Sequence, residues 1–304
     1  RRRSNVARLL ANVAASLTHS PIRCKEEIML RHAFALSLVT LITALGAANS
    51  ASAVDLFVGA RAPASQRIGY DKIDHTAWDE LLKQYVNDQG LVDYEGWKAS
   101  GKSVTKLNDY LNNLSAVDPR QPAARESELA YWINAYNAVT VKGILEVYPT
   151  TSIRNHTAKV WGYNIWKNLK LRYADAQINL EDIEHQVLRK RGEPRIHFAI
   201  VCASIGCPRL LNEAYVPERL DEQLSTNARH FFAQQQNFQI DRGSNTVRLS
   251  SILKWFGEDF GATKQAQLQA ISPYLPSDEA RAFVSQPGVR VAYLDYDWNI
   301  NEQK

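Results

Sequence analysis

The chain has 304 residues, 45% hydrophobic and 22% charged, a composition that fits a globular protein and excludes a disordered one. Its formal charge of +4 is unevenly placed, because residues 1–53 hold seven Lys or Arg and two acidic residues, leaving 29 basic against 30 acidic residues from Val54 onward. The remainder is near neutral and lacks the clustered cations with which nucleic-acid binders displace counterions from phosphate, so no nucleic-acid partner is expected.

Near the start of the chain, Met29 is the only methionine, followed by Leu30, Arg31 and His32, an uncharged run from Ala33 to Ala48, and Ala51-Ser52-Ala53. A short positive region, an apolar core and an A-x-A site predict a secretory signal peptide over residues 29–53, cut after Ala53. About 16 apolar residues fall short of the roughly 20 that cross a bilayer, so no stable membrane span is expected after cleavage. Residues 1–28 read as translated upstream sequence, 54–72 as a linker and 73–304 as a single domain of a periplasmic or secreted protein.

From Thr76 to Val86, Trp78, Leu81, Leu82 and Tyr85 recur at helical spacing, with Thr76 and Asp79 resembling a capping box. A second amphipathic helix is predicted near Ser103 to Leu114. The most periodic segment runs from Ser127 to Tyr148 and is stopped by Pro149, which predicts a core helix. Asn134 and Asn137 stand one turn apart within it, where an amide competes for the backbone and needs a compensating partner. Two accounts are open: both amides bond a neighbouring loop, or one orients a catalytic histidine. Trp161, Tyr163 and Trp166 then fall in a loop of polar residues and glycine, either as a groove for sugar or peptide or as a lid on the core. Short strands are predicted at Leu169 to Tyr173 and Gln177 to Leu180, followed by a helix to about Lys190 that carries Glu184 and His185.

The run Arg195 to Leu211 holds Cys202 and Cys207, the two cysteines left once the signal region is removed. Its apolar start reads as a strand, in which Ile196, Phe198, Ile200 and Cys202 face one way and His197, Ala199 and Val201 the other. His197 then points away from Cys202 and reads as a hydrogen-bonded structural histidine; the same alternation weakens a zinc set of His-x4-Cys-x4-Cys type, and no metal or cofactor is expected. Pro208 suits the first turn of a helix, which would put Cys207 at its N-terminus. Further on, a helix is predicted from about Pro217 to Gln235. A hairpin of Phe238 to Asp241 with Thr246 to Leu249, short helices at Ser251 to Phe260, Thr263 to Ile271 and Ser277 to Ser285, and a strand at Val289 to Leu294 complete the chain. The sum is an α+β fold, mainly helical with a small, largely antiparallel sheet.

Several runs resemble the domain-of-unknown-function 547 family: Tyr131 to Ala138, Ile183-Glu184-His185 with Leu188-Arg189, His197 to Ser204 through Cys207-Pro208, Lys254 to Phe260, and Tyr296 to Asn299. The resemblance covers most of the chain after Ile73 and implies an architecture and candidate positions, without a reaction. Many relatives are exported bacterial proteins. The residues themselves leave two functions open. In one, Cys202 is the nucleophile of a hydrolase or acyl transferase acting on peptide or amide bonds, with His185 as base and Asn134, Asn137 or Glu184 orienting it. Small neighbours such as Ala203 and Ser204 then leave room for substrate. In the other, a Cys202–Cys207 bridge leaves no free thiol, and the domain binds peptide or glycan of the cell envelope through Trp161, Tyr163, Trp166 and Ser204. A redox role fits less well, since the spacing is not Cys-x-x-Cys.

Overall fold

The computed structural model describes residues 55–157 and 163–304; the segment expected to be a signal peptide and Trp161 lie outside the described residues. The first short strand, β1 (Leu56–Val58), is followed by helices α1 (Thr76–Tyr85), α2 (Tyr94–Ala99), α3 (Gly101–Ser115) and α4 (Arg125–Val147). The expected box at the start of α1 does not form. Asp74 accepts from the Thr76 N–H instead, and the Asp79 carboxylate takes the Ala214 N–H and the Lys83 ammonium.

Helix α4 is the axis of the larger core. Ser127 and every residue from Leu129 to Val141 are buried, so the helix is covered on all sides rather than along one stripe. Trp78, Tyr94, Trp97 and Tyr110 from α1, α2 and α3 pack into the same core. After it come α5 (Ile165–Asn168), β2 (Leu169–Tyr173), β3 (Ala176–Asn179) and α6 (Leu180–Asp182), the last running on through a wide π-type turn, Ile183–Leu188, that carries Glu184 and His185. Asn179 caps α6 by accepting the Asp182 N–H.

A second, smaller core gathers around α7 (Leu220–Ala233), β4 (Phe238–Asp241), β5 (Thr246–Leu249), α8 (Ile252–Trp255), α9 (Gly257–Phe260), α10 (Lys264–Ile271), α11 (Asp278–Val284) and β6 (Arg290–Tyr293). The fold is α+β as expected, but its strands form two three-stranded sheets. Each pairs one antiparallel hairpin, β2–β3 or β4–β5, with one parallel neighbour, β1 beside β2 and β6 beside β5. No helix among the described residues is long and apolar enough to cross a membrane.

The stretch expected to be a central strand is not one. Pro194–Phe198 forms a tight 3-10 turn, begun by Pro194 at its first position and by Glu193, whose carboxylate accepts the Arg195 N–H. The following backbone crosses between the two cores without a sheet partner, and side-chain amides supply what a neighbouring strand would. Asn137 accepts from the Val201 N–H at 3.0 Å and donates to the Ala199 carbonyl at 3.0 Å, while Asn227 donates to the Phe198 carbonyl at 2.9 Å. Asn134 does the same for Tyr215, accepting its N–H and donating to its carbonyl. Both α4 asparagines are thereby spent on buried backbone, which leaves the loop-bonding account of the pair. Residues after Pro208 do not form the expected helix, so Cys207 is not at a helix N-terminus.

Candidate functional site

The end of the chain completes the site. Ile205 and Gly206 donate to the carbonyls of Asn299 and Asp297, both at 2.8 Å, and Ser204 bridges to Ile300. A Cβ on Gly206 would sit 2.9 Å from the Asp297 nitrogen, so only glycine lets the terminal segment lie this close. That pairing brings Tyr296 and Trp298 over the cysteine loop. Between them, the π-type turn and α8 lies a pocket of about 290 Å³, lined by Glu184, His185, His197, Cys202, Cys207 and a wall of aromatic rings.

Cys202 and Cys207 are joined by a disulfide, with Cα atoms 6.3 Å apart, within the usual span. Polar groups converge on it. The Cys202 N–H donates to Cys207 Sγ at 2.8 Å, the Tyr296 hydroxyl donates to the same sulfur at 3.1 Å, and Cys202 Sγ lies 3.1 Å from both the Tyr296 and Ser204 hydroxyls. Ser204, expected to meet a ligand, is buried beneath the sulfur and positions it. Ala203, next to Cys202, has φ = 56°, a left-handed conformation that costs a residue with a Cβ about 1 kcal/mol or more and recurs where a reactive side chain is held on a sharp turn.

The two histidines play different parts from those expected. Arg189 Nη1 lies 3.2 Å from His185 Nδ1, and a guanidinium can only donate, so that nitrogen accepts and the N–H of a neutral ring sits on Nε2. His185 therefore offers a donor where the sequence suggested a base. His197 faces the pocket, because the strand alternation that turned it away does not exist. Its Nε2 is 2.7 Å from Asp259 Oδ2, and its ring stacks on Phe256 at 4.3 Å between centroids. Burial of Asp259 favours its neutral acid, but Arg189 and His197 outweigh that and hold its carboxyl below the ordinary range. Burial pushes His197 down to about 4, against the pull of Asp259, so its ring is neutral near pH 7. A neutral imidazole whose single N–H is directed at a carboxylate keeps its lone pair on Nδ1, with the ring's orientation fixed by Asp259.

Glu184 stands nearby with its Oε2 accepting from the Tyr136 hydroxyl at 3.3 Å. Burial raises its carboxyl to about 7, the Tyr136 bond offsetting only part of the effect. Of the three aromatics expected to form a groove, Trp166 is half-buried and lines the pocket. Tyr163 packs on the larger core with its hydroxyl oxygen buried, and Trp161 is outside the described residues. The sequence reading assigned no site role to Asp259, Trp255, Tyr296 or Trp298. The signal that could have found them is the aromatic and acidic character of the Lys254 to Phe260 and Tyr296 to Asn299 runs.

Residues 120–232 match the family described as "Protein of unknown function, DUF547", and neither a curated protein nor a solved structure matches the chain. The matched segment contains the two cysteines and both pocket histidines. Asp259 and the C-terminal rings of the pocket fall beyond it.

Proposed function

We propose that this member of the DUF547 family is an exported thiol enzyme of the hydrolase or acyl-transferase class, acting on a peptide or amide bond. The observation that carries the reading is that His197, with its N–H held by Asp259, lines the same pocket as Cys202. In the reduced protein His197 Nδ1 takes the Cys202 thiol proton, and the thiolate attacks the carbonyl carbon of the substrate. The carbon–nitrogen bond then breaks, the imidazolium returns the proton to the leaving amine, and water or an acceptor amine cleaves the thioester on Cys202. The Cys202 N–H has only Cys207 Sγ, a weak acceptor, as its partner, so with His185 Nε2–H it supplies donors that the oxyanion can claim.

The bridge makes the oxidised chain the resting form. Two equivalents of a small thiol convert it to the dithiol, with one disulfide of that thiol formed. The test compares oxidised protein, reduced protein and reduced Cys202→Ala against a library of peptide anilides and amides, with intact mass recorded for an acyl adduct. Release of amine and an adduct of acyl mass are expected only from the reduced wild type. A reduced protein without turnover or adduct across the library, or turnover surviving in Cys202→Ala, overturns the proposal. The bridge itself favours a second reading, a disulfide-stapled module that binds peptide or glycan of the cell envelope without chemistry. On that reading oxidised and reduced protein bind alike and neither forms an adduct.

A further inference from the structure

Trp78, Trp97 and Trp132 are buried to 2% exposure or less, yet Trp255, which lines the pocket, is 45% exposed. Leaving so large an apolar ring in water forgoes the burial that stabilises its counterparts, so the ring's position needs a reason. Trp255 does not stand alone. Its ring lies 4.9 Å from Tyr296 and 5.8 Å from Trp298, and the Tyr296 and Trp298 rings are 4.5 Å apart. The planes are tilted by 52°, 31° and 52°, which makes a fan rather than a stack, and two of its members are fixed from behind. The Tyr296 hydroxyl is tied to Ser204, the Trp298 carbonyl accepts from the Ser152 hydroxyl at 2.6 Å, and the Arg154 guanidinium lies 5.1 Å from the centre of the Trp298 ring.

The same pocket wall carries polar groups beside its apolar ones, Trp166, Ile200, Ile252 and Phe256. Asn164, Lys167 and Glu181 line it, with Lys167 and Glu181 paired at 3.3 Å. An apolar peptide side chain would bind best in a wall of carbon throughout, since unpaired carboxylate and amide groups cost free energy when covered. A pyranose ring needs both surfaces. Its axial C–H bonds present an apolar, weakly positive face to the negative face of an aromatic ring, and its hydroxyls radiate from the edge toward carboxylate, amide and ammonium partners.

We infer that Trp255, Tyr296 and Trp298 form a sugar subsite of the pocket, which takes a neutral pyranose of a glycan with its hydroxyl edge toward Asn164, Lys167 and Glu181. The inference names the class of molecule to which the scissile amide is attached if the thiol reading holds. It does not depend on that chemistry, because the cradle is complete in the oxidised chain.

The test is therefore made without reductant. The full chain is titrated with a trimer of N-acetylglucosamine, with cellotriose and with the tripeptide Ala-Phe-Ala, followed by tryptophan fluorescence and calorimetry. Saturable binding of at least one trimer is expected, with affinity weakened about tenfold or more by Trp255→Ala and less by Trp255→Phe. Unchanged near-ultraviolet circular dichroism in Trp255→Ala checks that the exposed substitution leaves the fold intact. No binding of either trimer up to about 10 mM, equal affinity in Trp255→Ala, or binding of the peptide alone overturns the subsite. A failed sugar titration leaves acyl transfer by Cys202 standing, and a failed acylation screen leaves the subsite standing.

Discussion

Two adjacent stretches of backbone, Phe198–Val201 and Cys202–Cys207, are held in contrasting ways. In the first, buried carbonyls and an N–H are matched by Asn137 and Asn227, amides that offer both a donor and an acceptor and lie almost wholly out of solvent. In the second, the partners are sulfur, two hydroxyls and the terminal segment, and both cysteines are only half-buried. Full satisfaction fixes a scaffold, whereas sulfur is a weak acceptor, and an N–H pointed at it is one that an oxyanion can claim. The difference separates the residues that hold the loop from those that face the chemistry, although both sets are polar and close in sequence.

The largest expected effect breaks the first stretch. Asn137→Ala leaves the Val201 N–H and the Ala199 carbonyl buried without partners, which should lower unfolding stability by about 2–4 kcal/mol in urea titrations of the oxidised protein. A loss near zero would mean that water replaces the amide and that the stretch is not a dry scaffold.

Opening the bridge tests the second stretch. The cysteines are five residues apart, so the closed loop is short and its removal should cost about 2 kcal/mol without unfolding the chain. Far-ultraviolet circular dichroism of reduced and oxidised protein should superpose. Loss of the fold on reduction would make the bridge a structural staple and remove the basis for a dithiol enzyme.

A smaller effect follows from Glu184. Its folded carboxyl, at about 7, lies above the ordinary value of 4.5, so folding favours the protonated form. Its contribution is fully present below pH 4.5 and is lost as pH rises through about 7. Comparing Glu184→Gln with wild type, the stability difference should move in the mutant's favour by about 1–2 kcal/mol between pH 4.5 and pH 8, the figure being discounted for partial solvent access. A pH-independent difference would place the carboxyl in water. Smallest of all, Tyr296→Phe removes the hydroxyl shared by both sulfurs and Ser204, and should cost about 1 kcal/mol in the same titration.

Helical periodicity made the core helix α4 legible, and alternation with turn residues gave the hairpin Phe238–Asp241 with Thr246–Leu249 at its observed bounds. The run Ile196 to Cys202 was misread because an apolar stretch flanked by helices looks like a buried strand. What distinguishes it is that Asn137 on α4 and Asn227 on α7, distant in sequence, take the place of a strand partner. Alternation therefore does not govern His197, which sits in a 3-10 turn and lines the pocket. Its partner Asp259 lies 62 residues away and Tyr296 lies 94 from Cys202, so no local spacing announces either pairing. Cys202, Cys207, Glu184 and His185 were found because their chemistry is written in residue type, but the part His185 plays depends on Arg189 and could be assigned only from geometry.

The most direct measurement of the account is the pH dependence of Cys202 alkylation. In Cys207→Ser the thiol is free, and its rate of reaction with iodoacetamide reports the fraction present as thiolate. If His197 with Asp259 serves Cys202, the rate should titrate with a midpoint well below the ordinary thiol value of about 8.5, and a further His197→Gln change should return it there. A midpoint near that ordinary value, unmoved by His197→Gln, would contradict the assignment of Cys202 and His197 as a catalytic pair.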